Sequence, residues 1–599
     1  MPGGTDQTLR PFLWRAANLY PDTEIVSRTH EGVQRYTYAD YDDRTAQLAN
    51  ALDAYGIAGG DRVGTFCWNL HRHFETYFAV PSIGAQLHTI NPLLPDEHIR
   101  YIVENAEDEL IFVDDSLAPK LASAAAEAPA FDGVEFVVMS GAGTDALEAT
   151  PYEAFIADRE TEYDWPTLFE DQPAGMCYTS GTTGNPKGVE YTHQMLWSHT
   201  MATLTPQGTP MADDDVVMPV VPMFHVNAWG MPFTATAGGA KHVYPGPSPE
   251  PADVAGLIED EGVTITAGVP TVWLGLMEYM DDHEVDLSTL DSVIVGGSAA
   301  PESMIRWFDD HDVGLLHAWG MTEMSPIGSV SHLKGDLQDA DYETQLAHRA
   351  KQGLMVPGIE FRVVDEDGAT SETSRADGDS EEQDSSGRAS GRSPRAEAVD
   401  GDEIPWDGEA FGELWVRGPW ITQEYFEHPE ANREDFEGVA ESGASGESED
   451  GTSSGKWLKT GDVVTVDEEG YIKIVDRAKD VVKSGGEWIS SVELENAIMA
   501  HDDVTEAAVV GVPHDRWQER PVAFVVPADG ADEDRLPEEI RELLRADYPT
   551  WWLPDAIEYI EEIPKTATGK FSKKDIREEY SDESLLEGRV PEEAAPDSD

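Results

Sequence analysis

Residues 178–189 read YTSGTTGNPKGV, a run dense enough in small and hydroxyl-bearing residues to do chemistry on a phosphate. Gly181, Gly184 and Gly188 let the backbone approach a ligand closely and take positive φ. Thr179 heads the run, Ser180, Thr182 and Thr183 add hydroxyl donors, and Lys187 adds a cation. Backbone amides, hydroxyls and one ammonium together make a cradle for phosphate oxygens. It is not a Walker loop, which needs Gly directly before its Lys, where Pro186 stands. A polar turn would use some of the same residues, but not so many hydroxyls beside one Lys. A second glycine-rich stretch, SGAGTDALEA (140–149), matches G-x-G-x-x-A after the apolar run VEFVVM. The residues after it are broken by Pro151, so it reads as a surface turn and not as a dinucleotide loop.

The cradle needs a frame. Short β-branched runs (ELIFVDD, VEFVVM, DVVMPVVPMF, VTITAGVP, DSVIVGG) alternate with longer helix-patterned segments. That alternation predicts an α/β fold with a large N-terminal domain of mostly parallel sheets flanked by helices. The cradle follows a strand-like run and precedes the helix-like HQMLWSHTMATL. After Gly470 the texture changes to YIKIVDRAKDVVKSGGEWIS, followed by a compact α+β stretch. The expected division is 1–475, a small C-terminal domain at 476–585, and an acidic tail at 586–599. Residues 366–403 and 437–455 carry almost no large apolar side chains and read as solvated surface insertions.

Composition narrows the function. The chain of 599 residues holds 117 Asp and Glu against 40 Lys and Arg, a formal charge of -77. Its length calls for several domains. So few cations leave no basic face for nucleic acid. Such a charge repels itself in dilute buffer, and molar salt shortens the Debye length to about 3 Å. The acidity therefore reads as adaptation to concentrated salt. Cys67 and Cys177 cannot make a disulfide framework, and no Cys/His spacing suggests zinc. The N-terminus lacks signal-peptide character and no run of 18 apolar residues occurs, so a cytoplasmic protein without a transmembrane segment is expected.

Seven stretches occur in the order found in one family: the cradle, MFHVNAW (223–229), GGSAAP (296–301), HAWGMTEMSP (317–326), KTGDV (459–463), DRAKDVVKSGGEWIS (476–490) and PKTATGKFSK (564–573). They resemble the motifs of the acyl-adenylate-forming enzymes, which include acyl-CoA synthetases, luciferases and peptide-synthetase adenylation domains. The match spans nearly the whole chain outside the two insertions and the tail.

The resemblance implies ATP, Mg²⁺ and coenzyme A as cofactor and substrates, and leaves a homodimer open. For ATP and AMP it adds Gly297, Ser298, Trp319, Gly320, Thr322, Asp462 and Arg477 to the cradle residues. Trp319 offers a flat face for adenine, although the family usually has Tyr there, so a phenolic hydrogen bond is expected to be lost. Thr322 offers a hydroxyl, and Glu323 is a hard oxygen ligand for Mg²⁺ alongside Thr182. Asp462 matches the carboxylate that accepts the ribose hydroxyls, and Arg477 the residue that contacts ribose and phosphate. Lys570, with Lys187, Thr182 and Glu323, is the implied catalytic set. A cation aimed at the oxygens where charge accumulates is typically worth about 10² to 10³ in rate. Asp476 matches a hinge about which the small domain rotates. That rotation swaps Lys570 for the pantetheine channel, to which His225, Lys483, Gly485, Gly486, Glu487 and Trp488 are assigned. Trp229 is the expected acyl gate, four residues from His225 and on the same face if the segment is helical.

HVNAW, GGSAAP and KSGGEWISSVELE resemble the branch of the family that handles medium- and long-chain fatty acids, so AMP-forming acyl-CoA synthesis on such an acid is expected; the lack of a cation placed to pair with a second charge favours an apolar tail without setting its length. The alternatives are a small acid of the methylthiopropionate type, or a carrier-protein acceptor. A non-catalytic nucleotide binder and an acidic interaction protein are the rivals from other classes.

Overall fold

The computed structural model describes residues 6–586 apart from 31, 127, 140–143, 180–184, 365–402, 438–454, 485–486, 502, 515, 529, 533, 567–570 and 581–582. Two large sheets form the N-terminal part. The first has seven strands in the order Thr150–Pro151, Glu135–Val138, Asp108–Val113, Arg62–Phe66, Gln86–Thr89, Pro173–Tyr178 and Gly188–Thr192. Every pair is parallel except the last. The second sheet has nine strands, parallel from Gly314–Gly320 across to Glu24–Thr29, with antiparallel strands added at both edges. All five β-branched runs contain strands, as the alternation predicted, and all five strands lie in the parallel regions.

The helix His71–Ser82 is buried on every side, with only Arg72 partly exposed. Such a helix belongs between two layers. One continuous core joins Val63, Phe112 and Cys177 of the first sheet to Val217, Ala267 and Ile294 of the second, through Phe74 and Tyr77 of that helix. Its polar Glu75 is held by Arg44 and Tyr152. Both cysteines are buried free thiols.

A third, antiparallel sheet pairs Glu360–Val364, Phe411–Arg417, Trp457–Val466 and Phe436–Glu437, with Ile472–Arg477 on the long strand. A fourth sheet of five strands begins at Val482–Ser484 and packs on Ser491–Met499 and Leu536–Asp547. The acidic stretches at 366–403 and 437–455 fall almost entirely outside the described residues, as does 587–599. Among the described residues no helix is long and apolar enough to cross a membrane. The stretch after 140–149 holds only the five-residue helix Tyr152–Ile156, in keeping with a broken dinucleotide pattern.

Candidate active site

The cradle is pinned at its base. Thr179 N–H donates to the Lys187 carbonyl at 2.9 Å, and Lys187 N–H donates to Thr179 Oγ1 at 3.1 Å. Ser180, Gly181, Thr182, Thr183 and Gly184 lie outside the described residues. The cradle follows a strand and precedes the helix His193–Thr203, as expected, with a second strand between them. The cradle joins two antiparallel strands, Pro173–Tyr178 and Gly188–Thr192, and the helix His193–Thr203 starts only after the second. In GVEYT, Val189 and Tyr191 point into the core with period two, and this burial selects a strand.

Lys187 leaves the hairpin toward a network that spans the chain. Its ammonium pairs with Asp435 Oδ2 at 2.5 Å and lies 4.5 Å from the centre of the Tyr425 ring. The Tyr425 hydroxyl donates to Glu323 Oε1 at 2.7 Å. Burial first, then the Glu323 and Asp435 charges, push that phenol far up, so it stays a neutral donor. Glu323 is buried in the short turn Thr322–Met324. The turn is held by Thr422 N–H on the Glu323 carbonyl at 2.8 Å and by the Tyr191 hydroxyl on the Thr322 carbonyl at 2.8 Å. Lys187 and Glu323 are thus tied together through Tyr425. Sequence reasoning missed Asp435 and Tyr425, because partners 248 residues apart (Lys187 and Asp435) and 102 apart (Glu323 and Tyr425) leave no spacing to read.

Trp319 and Gly320 end the strand Gly314–Gly320 at a register shift. The indole N–H donates to Asp462 Oδ2 at 2.9 Å, and Arg477 Nε sits 2.7 Å from Asp462 Oδ1. Asp462 and Arg477 face each other across the strands Trp457–Val466 and Ile472–Arg477. Both oxygens of this buried carboxylate are therefore oriented by donors. Trp319, which has no phenol, makes a hydrogen bond of its own through the indole N–H. Gly297 and Ser298 are exposed just past the strand Ser292–Val295.

The gate segment departs from expectation. Val226, Asn227, Ala228 and Trp229 have φ of 40, 57, 48 and 55°, a left-handed turn and not a right-handed helix. The four-residue spacing therefore does not place His225 and Trp229 on one helical face. Left-handed residues cost roughly 1–2 kcal/mol each, most for β-branched Val226, so packing must hold the turn. Gly230 closes it at φ 75°, where a Cβ would stand 2.5 Å from the His199 ring. His199 is fully buried and pushed down to about 3 by desolvation, so it is neutral and accepts from Ile327 N–H at 3.2 Å. The Trp229 ring lies on Gly296, where a Cβ would come within 3.2 Å of it.

At the expected hinge, Asp476 is buried and accepts from Ser491 N–H at 3.0 Å and from the Ser491 hydroxyl. Lys573 lies 3.8 Å from Asp476 and 2.9 Å from Glu495. Burial above all, with a smaller push from the Asp476 charge and against the pull of Lys573 and of the Val509 N–H, raises Glu495 to about 7. Lys483 N–H donates to Glu519 at 2.9 Å. Glu487 and Trp488 lie in the strand Glu487–Ile489, which pairs with the strand bearing Lys483. Gly485, Gly486 and Lys570 lie outside the described residues.

The AMP-binding enzyme family model matches residues 13–426, and that for the AMP-binding enzyme C-terminal domain matches 493–570. This chain belongs to the AMP-binding enzyme family. It is 43% identical over 571 residues to a long-chain-fatty-acid–CoA ligase of Thermus thermophilus, covering 95% of each chain. It is 37% identical to a 3-methylmercaptopropionyl-CoA ligase of Ruegeria lacuscaerulensis, covering 95% of this chain and 96% of that one. The fold matches the anthranilate CoA ligase solved with anthranoyl-AMP at a TM-score of 0.79 and 22% identity, covering 96% and 98% of the two chains.

Proposed function

We propose that this chain is an AMP-forming acyl-CoA synthetase acting on a medium- or long-chain fatty acid. The acid's carboxylate attacks the ATP α-phosphorus and pyrophosphate leaves; the CoA thiol then attacks the acyl carbon and AMP leaves. The mixed anhydride is far more electrophilic than a carboxylate, which is the reason for two steps. The observation that carries this reading is the Lys187–Tyr425–Glu323 network joined to the cradle hairpin. The doubly oriented Asp462 supports it.

In this reading Asp462 accepts the ribose hydroxyls, Trp319 presents a face to adenine, and Arg477 contacts ribose and phosphate. Lys187 and Lys570 would meet the charge that builds on the phosphate oxygens. Glu323 fits a magnesium ion, being a buried carboxylate steadied by a neutral phenol on one oxygen. With Thr182 it would hold the ion, which neutralises phosphate charge when bound. We place the domain boundary at 475/476, with Asp476 as hinge and the KSGGEW segment facing pantetheine. The charge of -77 suits concentrated salt, and a cytoplasmic setting goes with the use of ATP and CoA.

The fatty-acid relative at 43% identity supports an apolar tail, and the methylmercaptopropionyl relative keeps a small acid as second reading. The test is AMP formation from Mg-ATP and CoA across straight-chain acids of varied length, with 3-methylthiopropionate alongside, in high salt. Turnover rising with chain length supports the first reading, a maximum on the small acid supports the second, and AMP from neither acid class defeats both.

A further inference from the structure

The left-handed turn Val226–Trp229 carries the expected gate, and local propensity opposes it. Its far end closes where Gly230 packs on His199. Its near end meets an atom that has had no part in the site so far, the sulfur of Cys177. The N–H groups of Val226 and Asn227 donate to that sulfur, and Asn227 Oδ1 lies 3.9 Å from it. These are the first two residues of the strained turn, and Val226 is its β-branched one. Among the described residues neither N–H has a backbone acceptor.

Cys177 sits at a junction of the two layers. It is buried on the strand Pro173–Tyr178, two residues before Thr179 at the base of the cradle. Thr89 Oγ1, on the neighbouring strand, lies 3.0 Å from the sulfur. The Tyr191 hydroxyl also reaches it, and donates to the Thr322 carbonyl of the Glu323 turn at 2.8 Å. Burial above all raises the thiol to about 11, against the pull of these donors, so the sulfur is neutral. A divalent sulfur is large and polarisable and accepts weakly, which suits a point where several donors converge. Without it, two backbone N–H groups would stand unpaired in the core.

We propose that Cys177 is a positioning residue for the acyl gate. By accepting the Val226 and Asn227 N–H groups it fixes the turn that lays Trp229 on Gly296, and so it governs which acid chain lengths are accepted. The proposal rests on the ligase reading and on Trp229 as its gate. Cys177 acts through the turn and not on the reacting atoms.

The experiment measures AMP formation by the full chain in high salt over a series of straight-chain acids. The parent is compared with Cys177→Ala, Cys177→Ser, Trp229→Ala and the Cys177→Ala/Trp229→Ala double variant. Selection is read as the ratio of kcat/KM between the parent's best and worst acids. Cys177→Ala is expected to lower that ratio at least about fivefold, the size of a lost hydrogen bond, with the KM for ATP within about twofold of the parent. Cys177→Ser, close to Ala in volume but with an acceptor oxygen, should hold the ratio within about twofold of the parent. In the Trp229→Ala background Cys177→Ala should change the ratio no further, because both act through one element. An unchanged ratio in Cys177→Ala overturns the proposal. So does a Ser variant no better than Ala, or an effect that persists in full without Trp229. Should Cys177→Ala fail to fold, Cys177→Val, which fills the space without an acceptor, is held to the same criteria. A parent that makes no AMP from any acid refutes the ligase reading and this proposal with it. A parent that selects by chain length, matched by Cys177→Ala, refutes this proposal alone.

Discussion

Replacing Trp319 by Phe separates two jobs that one side chain performs. Phe keeps an aromatic face but deletes the indole N–H, which donates to Asp462 Oδ2 at 2.9 Å. Asp462 is buried, and its other oxygen is met by Arg477 at 2.7 Å. A hydrogen bond to a charged group is worth about 1.5–3 kcal/mol, but Arg477 still orients the carboxylate, so the low end applies. At 1.4 kcal/mol per decade this weakens AMP binding about tenfold. The indole is expected to act on the ribose acceptor and not at the reacting phosphorus. The KM for ATP should therefore rise about tenfold while kcat stays within a factor of two or three. Equilibrium AMP binding, together with pyrophosphate release over a range of ATP, reads both quantities. Were the Phe variant to bind AMP as well as the parent or better, the indole would be competing with ribose and not orienting its acceptor, and the reasoning would be wrong.

Tyr425→Phe leaves Glu323 buried without its phenol donor. It should cost about 1–3 kcal/mol in urea unfolding and shift the magnesium dependence of pyrophosphate release to higher concentration; unchanged values of both would refute the network. Glu495 lies near 7 in the folded chain, above the unfolded value of 4.5, so the folded state holds the extra proton between those limits. Its contribution is complete below 4.5 and is lost as pH rises through about 7, at most about 3 kcal/mol. Glu495→Gln should therefore flatten the fall in stability from pH 5 to 8, and an identical pH profile would contradict this. Trp229→Ala removes the ring lying on Gly296 and should broaden or weaken chain-length selection while AMP affinity stays the same. Unchanged selection would remove the gate role.

Much of this was legible before any coordinates. The β-branched runs declare themselves as buried parallel strands because such strands are apolar on both faces. The hydroxyls and Lys187 of the cradle raise the expectation of a phosphate, because few other ligands need that set. Short-range periodicity pointed to the fold class, and the resemblance of seven ordered motifs to a known family pointed to that family and named the candidate nucleotide residues. Tertiary structure alone decided that the cradle is a hairpin loop, since Val189 and Tyr191 face the core only as a strand. It alone decided that Val226–Trp229 is left-handed, a conformation local propensity opposes and the packing of Gly230 on His199 accompanies. The same holds for the joining of Lys187, Asp435, Tyr425 and Glu323. Contacts between residues hundreds of positions apart are set by how layers pack, and chain order carries no record of that.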